Sequence, residues 1–243
     1  MRRVFSLLTI FAILPAGSLV AQNSSTSVSF FATLSTESEL FHHPNDPDEL
    51  LRSEYYPLNT IFGGGIDIRK AIAPLRLSVG ASVEYLSKSE TFSVATSGIS
   101  TTTHLSTNLT VPVSDGYGVT VIELSVYVPL PIGNENFQVY IGGGGGGYFG
   151  GRDYSYAGIA ATTTDRSPGY GIHILSGAEY NLSSVFSLRT DVKFRDVHFE
   201  TTDTFPVQQT TVQGSALLLP QGPQQSRVNV DGLAMAVQFA YRF

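Results

Sequence analysis

The chain contains no cysteine in 243 residues. That one absence removes disulfides, thiolate metal sites, cysteine nucleophiles and a lipid-bearing N-terminal cysteine. A secreted chain without disulfides needs another source of stability, and a closed barrel provides one. Tryptophan is also absent, against 12 tyrosines and 15 phenylalanines. This counts against a membrane setting, where aromatic girdles usually combine Tyr with Trp. Charged residues make up only 14% of the chain, low for a soluble domain, and the formal net charge is -6. An acidic chain with few basic clusters excludes nucleic acid as a partner. Beyond the N-terminus no apolar run approaches the roughly 20 residues that a spanning helix needs.

The N-terminal stretch is different. Arg2 and Arg3 precede an apolar run from Val4 to Leu14, and Pro15-Ala-Gly-Ser18 leads to Leu19-Val-Ala21. A charged start, an apolar middle and a small residue at the end predict a secretory signal over 1–21, cut after Ala21. Without Arg2 and Arg3 the charge becomes -8, from 12 basic and 20 acidic residues. The expected mature domain, 22–243, is of normal size for one barrel or sandwich.

The most informative stretch is the last. Leu233, Met235, Val237, Phe239, Tyr241 and Phe243 alternate with Ala234, Ala236, Gln238, Ala240 and Arg242. A strand points successive side chains to opposite faces, so one face is bulky and apolar and the other small or polar. Similar runs lie near 26–36, 58–70, 75–87, 118–130, 137–149, 169–181 and 185–198. With 231–243 they make eight, an even number as a single-chain bacterial barrel requires. The connections 37–57, 88–117, 150–168 and 199–230 are long, whereas 71–74, 131–136 and 182–184 are short and carry Pro, Gly, Asn and Ser. Alternation alone does not say which face is outside. A soluble barrel of lipocalin type would bury the aliphatic face and put the charges in water.

Several segments carry a family resemblance. Ile122-Glu-Leu-Ser-Val-Tyr-Val-Pro129, the glycine-rich Phe137–Phe149, Ser176-Gly-Ala-Glu-Tyr180 and the closing Ala240-Tyr-Arg-Phe243 resemble the strands of the OmpA/OmpX-type small outer-membrane β-barrel family. The resemblance covers essentially the whole mature chain. It implies an all-β, eight-stranded antiparallel up-and-down transmembrane barrel in the bacterial outer membrane, with short periplasmic turns, long external loops and both termini periplasmic. It also implies that Phe239, Tyr241 and Phe243 form the signal read by the barrel assembly machinery, and that lipid and lipopolysaccharide surround the wall. It transfers no activity, because family members have diverse roles.

With the aliphatic face outward, the lumen receives Asp67, Glu84, Glu123, Glu179 and Asp191 together with Arg69, Arg76, Arg189, Lys193, Arg195 and Arg242. Tyr127 and Ser125 share the inward face with Glu123. An eight-stranded barrel is just wide enough for side chains to fill it, so the expected arrangement is a paired ionic plug, with a narrow gated pore as the rival.

Motifs for chemistry are weak. Gly142 to Gly147 satisfies G-x-G-x-x-G after a strand, but no helix follows to receive a phosphate. His104-Leu-Ser106 aligns an imidazole with a hydroxyl, yet without an evident acid other than the distant Glu123. His198-Phe-Glu200 has no hydroxyl at that spacing. Glu37, Glu39, Asp46, Asp48, Glu49 and Glu54, with His42 and His43, form an acidic first loop that could hold calcium or solvent. Tyr154, Tyr156 and Tyr170 near Arg152 and Arg166 suggest a recognition surface, and Leu217-Leu-Leu-Pro220 an apolar contact. The expectation is a non-enzyme without cofactor or metal, acting structurally or through external loops. A passive pore and a lipid-modifying enzyme are the alternatives.

Overall fold

The computed structural model describes residues 26–72 and 75–243, so the predicted signal 1–21 and the Ala73-Pro74 turn lie outside the described residues. In chain order the elements are β1 (Thr26–Phe41), α1 (Glu49–Ser53), β2 (Tyr55–Ile72), β3 (Leu77–Ser100), β4 (Ser106–Gly133) and β5 (Phe137–Arg152). Then come β6 (Ser155–Tyr156), β7 (Ile159–Ala160), β8 (Thr162–Ser167), β9 (Gly169–Asn181) and β10 (Phe186–Asp196). The last are β11 (His198–Thr204), β12 (Gln209–Val212), β13 (Ser215–Leu218), β14 (Gln224–Asn229) and β15 (Gly232–Arg242).

Eight of these close a ring in the order β1-β2-β3-β4-β5-β9-β10-β15 and back to β1, every pair antiparallel. Closure leaves no unpaired edge in the ring. At the seam Phe30 pairs with Phe239 and Ser27 with Arg242. The wall alternates strictly. Val83, Leu124, Val192 and Val237 are exposed, while Glu84, Glu123, Asp191 and Gln238 beside them are buried. Exposure of large apolar side chains reaches 66% at Leu124 and 71% at Ile172. The aliphatic face therefore points away from the protein, and the lipocalin-type arrangement is excluded.

The regions expected to be long loops are mostly strand. β3 and β4 continue as a paired hairpin as far as Ile99 and Ser106, well past the expected ends at 87 and 118. β14 extends the wall along β1, β11 pairs with β14 and β8, and β13 adds to the hairpin tip at Ser215 and Ala216. The difference has a simple cause. Polar residues, chiefly Ser, Thr and Gln, outnumber apolar ones in the second and fourth of these stretches and apolar alternation is short, as at Leu109, Val111 and Val113, yet backbone pairing needs no apolar face. Leu109, Val111 and Leu217 form a small core within this extension. Leu217 is thus an internal contact, and only Leu218 of the Leu-Leu-Leu run is exposed.

The glycine run lies within β5, paired to β4 on one side and β9 on the other. A Cβ on Gly144 would stand 1.9 Å from the Leu124 carbonyl oxygen, so the strand pair closes only around a bare backbone at that point.

Candidate functional site

The lumen is stacked in layers. The two ends of the barrel are the short-turn end, where both ends of the described chain meet at Thr26 and Phe243, and the long-loop end. Nearest the short turns, Arg242 Nη2 donates to Glu179 Oε1 at 2.8 Å and to Asn181 Oδ1 at 3.0 Å. Arg189 Nε lies 3.1 Å from Glu179 Oε2, and its Nη2 donates to Ser27 at 2.9 Å. Next comes Arg69, whose Nε and Nη2 donate to Asp67 at 2.5 Å and Asp191 at 2.8 Å. Its guanidinium lies 3.9 Å from the Tyr127 ring centroid, a cation–π contact. Tyr140 and Gln238 also donate to Asp191. These partners tie Asp191 to the Arg69 layer.

The third layer joins Glu84 to Arg195, and Glu123 to Lys193 at 2.5 Å, Tyr148 at 2.8 Å and Arg195 at 3.4 Å. Ten of the eleven expected lumen charges thus sit in three layers. Arg76 does not join them. It occupies the turn before β3, exposed, with φ at 49°, because the alternation begins only at Leu77.

Sequence reasoning missed His173, which is buried within this third layer. Its Nε2 is 2.9 Å from Ser125 Oγ and its Nδ1 3.5 Å from Glu123 Oε1. The strand parity Gly171, His173, Leu175 was the available signal, masked by Ile172 and Ile174 on the outer face. A hydroxyl, an imidazole and a carboxylate in series have the connectivity of a hydrolytic triad. Substrate access is missing, however. Ser125 and His173 are both buried inside the barrel. By contrast, His104 and Ser106 sit exposed at the hairpin tip, far in sequence register from Glu123.

Above the charges the lumen turns apolar. Leu40, Leu58, Ile61, Leu86, Tyr117, Val119, Phe199 and Val228 form one buried cluster. Tyr117 meets Phe199 edge-on at 6.0 Å and pairs its hydroxyl with Ser38 at 2.7 Å. Gly150 has no side chain because the Phe199 ring would lie 2.4 Å from its Cβ. This plug was not expected. Leu58, Ile61, Leu86 and Val119 bring it from the upper ends of expected strands, and Leu40, Phe199 and Val228 from beyond them.

Over the plug, Arg152 makes a two-point contact with Asp115, at 2.7 and 2.5 Å, and reaches Ser226 at 2.8 Å. His42 Nε2 lies 2.9 Å from the same carboxylate. Burial alone would raise the Asp115 pKa, but the hydrogen bonds from Arg152 and His42 outweigh it and hold the carboxyl below its ordinary range. Arg152 is thus buried rather than part of an exposed recognition surface. Tyr154 packs on it at 4.0 Å, while Tyr170 stands exposed on β9 and Arg166 on β8. The acidic first loop does not converge. Asp48 caps α1 by accepting from the Leu50 amide, and among the described residues no group of three or more His, Asp or Glu side chains is placed to hold a metal ion.

At the short-turn end, Phe239, Tyr241 and Phe243 all face outward, and Phe186 contacts the first two at 5.4 Å each. A closed ring with an apolar exterior and an ionic interior defines a transmembrane β-barrel. The chain belongs to the outer membrane protein beta-barrel domain family, whose model matches residues 9–243. That places it in the bacterial outer membrane. It is similar in fold to a major outer membrane protein from Thermus thermophilus, with 14% identity, a TM-score of 0.52 and coverage of 91% of this chain and 100% of that one. It is also similar to Ail, the attachment invasion locus protein of Yersinia pestis, with 12% identity, a TM-score of 0.44 and coverage of 91% and 100%. A third similar structure is the outer membrane protease OmpT of Escherichia coli, with 8% identity, a TM-score of 0.43 and coverage of 93% and 99%. No curated protein matches the chain. At these identities the likeness concerns the fold alone.

Proposed function

We propose that the protein is a non-enzymatic outer-membrane barrel that acts structurally and through its long-loop extension at the cell surface. The short turns and both termini face the periplasm in this reading, and lipid and lipopolysaccharide cover the wall. Phe239, Tyr241 and Phe243 serve as the signal for the barrel assembly machinery. The observation that carries the proposal is the apolar plug from Leu58 to Phe199. A lumen filled with apolar and paired ionic side chains offers no continuous polar path, which speaks against the passive pore. The burial of Ser125 and His173 inside the barrel speaks against lipid chemistry there. What remains for a partner is the outer surface of the extension, where loops carry function most often.

The test replaces the hairpin tip, residues 97–106, with a tight turn and compares attachment of the bacteria to surfaces and to other cells. Loss of attachment with unchanged heat-modifiable gel migration supports the proposal. Unchanged attachment together with altered outer-membrane permeability overturns it.

A further inference from the structure

We propose that the cleft between the long-loop segments binds the terminal sugar ring of a neutral saccharide, a reading that rests on the surface role above. The cleft measures about 310 Å³ and draws on all four segments. His43 and Glu54 come from the first, Phe92 from the β3–β4 hairpin, Tyr154 from the third and Gln224 from the fourth. The Asp115–Arg152 pair forms its floor.

Two aromatic rings are held in place before any ligand arrives. Phe92 is 37% exposed and packs against Tyr56 at 5.7 Å. Tyr56 is fixed in turn by donating to Glu90 at 2.7 Å. Tyr154 has the Arg152 guanidinium 4.0 Å from its centroid, and the Phe205 ring meets it edge-on at 5.4 Å. Rings fixed in this way lose little freedom on binding.

The charge pattern selects the ligand class. Arg152 is fully matched by Asp115, and Glu54 adds a negative charge, so no free cation waits for a sulfate, phosphate or carboxylate. A wholly apolar ligand would cover the Glu54 carboxylate, the His43 imidazole and the Gln224 amide oxygen without pairing them. A pyranose satisfies both demands. Its C–H face lies flat on an aromatic ring, and its hydroxyls reach Glu54, His43 and Gln224. The volume is at the small end for ligand pockets, which suits one terminal ring rather than the interior of a long polymer.

The experiment uses the full folded barrel in a detergent without sugar headgroups. Saturation-transfer NMR probes it with the methyl glycosides of glucose, galactose, mannose and N-acetylglucosamine. At least one binds in the millimolar range, and Phe92→Ala weakens it about tenfold, as loss of a ring contact does. Gln224→Ala weakens it as well, while Leu218→Ala, outside the cleft, does not. Heat-modifiable migration confirms that each variant is folded. The inference is overturned if none of the four binds, or if binding survives both Phe92→Ala and Gln224→Ala. If the hairpin-tip replacement abolishes attachment while no glycoside binds, the surface role stands and the saccharide reading falls.

Discussion

Arg195 is the most consequential single side chain in the lumen. It is 3% exposed and lies between Glu84 and Glu123. Arg195→Met keeps the bulk and removes the charge. Glu123 retains Lys193 and Tyr148 as donors, so it keeps most of its compensation. Glu84 does not. Its Oε1 has no hydrogen-bond partner among the described residues, and Arg195 supplies the donor to Oε2. A buried carboxylate left unpaired costs about 3–5 kcal/mol. The double variant Glu84→Gln/Arg195→Met removes the orphan charge and recovers part of that loss, within the range of about 0.5–3 kcal/mol for coupling between residues in direct contact. The assay is urea unfolding of the refolded barrel in micelles, followed by tyrosine fluorescence and by the heat-modifiable band. A cost below about 1 kcal/mol for the single variant refutes the reasoning, because it would mean that water already reaches Glu84. So would a double variant whose cost equals the sum of the two singles.

Three further outcomes follow from the same geometry. In planar bilayers the unaltered barrel shows no open steps, whereas Leu58→Ser, Tyr117→Ser and Phe199→Ser combined produce them, because together they remove the bulk of the plug. Gly144→Val abolishes the heat-modifiable folded band, since its Cβ would meet the Leu124 carbonyl at 1.9 Å and both neighbouring strands hold the backbone there. Asp115 has a depressed folded-state pKa, so its contribution is full above the ordinary carboxylate range and is lost as pH falls through the lower folded value. The urea midpoint should therefore fall on acidification below pH ~4. Asp115→Asn should reduce that fall and cost about 1.5–3 kcal/mol at pH 7, the worth of hydrogen bonds to a charged group.

The legible part of the structure was the part in which sequence alternation and burial coincide. From Leu77 to Tyr85, from Phe186 to Arg195 and from Leu233 to Phe243 every second residue is apolar, Thr190 excepted, and each stretch forms wall as read. Ten of the charges that parity assigned inward lie in ion pairs inside the ring. Parity failed at Arg76, where a turn residue precedes the first wall position and alternation has no meaning. The extension was illegible for a different reason. In Ser89-Glu-Thr-Phe-Ser-Val-Ala-Thr96 only Phe92 and Val94 are large and apolar, too short an alternation for hydrophobic periodicity to mark a strand. Only the pairing of Thr91 with Ser114 and of Ala95 with Thr110 makes it a strand. The cleft floor and part of the plug were hidden with it, because Phe199 and Val228 complete the plug, and Arg152 meets Asp115 and Ser226, from segments distant in sequence.

The charge layers show why the lumen is sealed as it is. With Arg76 outside, five acids face five bases, but the balance is not kept layer by layer. The lowest layer holds Arg189 and Arg242 against Glu179, an excess of one positive charge. The layer above holds Asp67 and Asp191 against Arg69, an excess of one negative charge. The third holds Glu84 and Glu123 against Arg195 and Lys193 and is neutral. The two excesses are adjacent and opposite, so they attract across the lower lumen, where the vestibule of about 270 Å³ still admits solvent. The neutral layer lies under the apolar plug, where an uncompensated charge would cost most. Charge compensation thus tightens from the solvated end of the cylinder to the dry one. A single neutral-to-charged change should accordingly be better tolerated at Ser78, which lines the vestibule, than at Val119 in the plug.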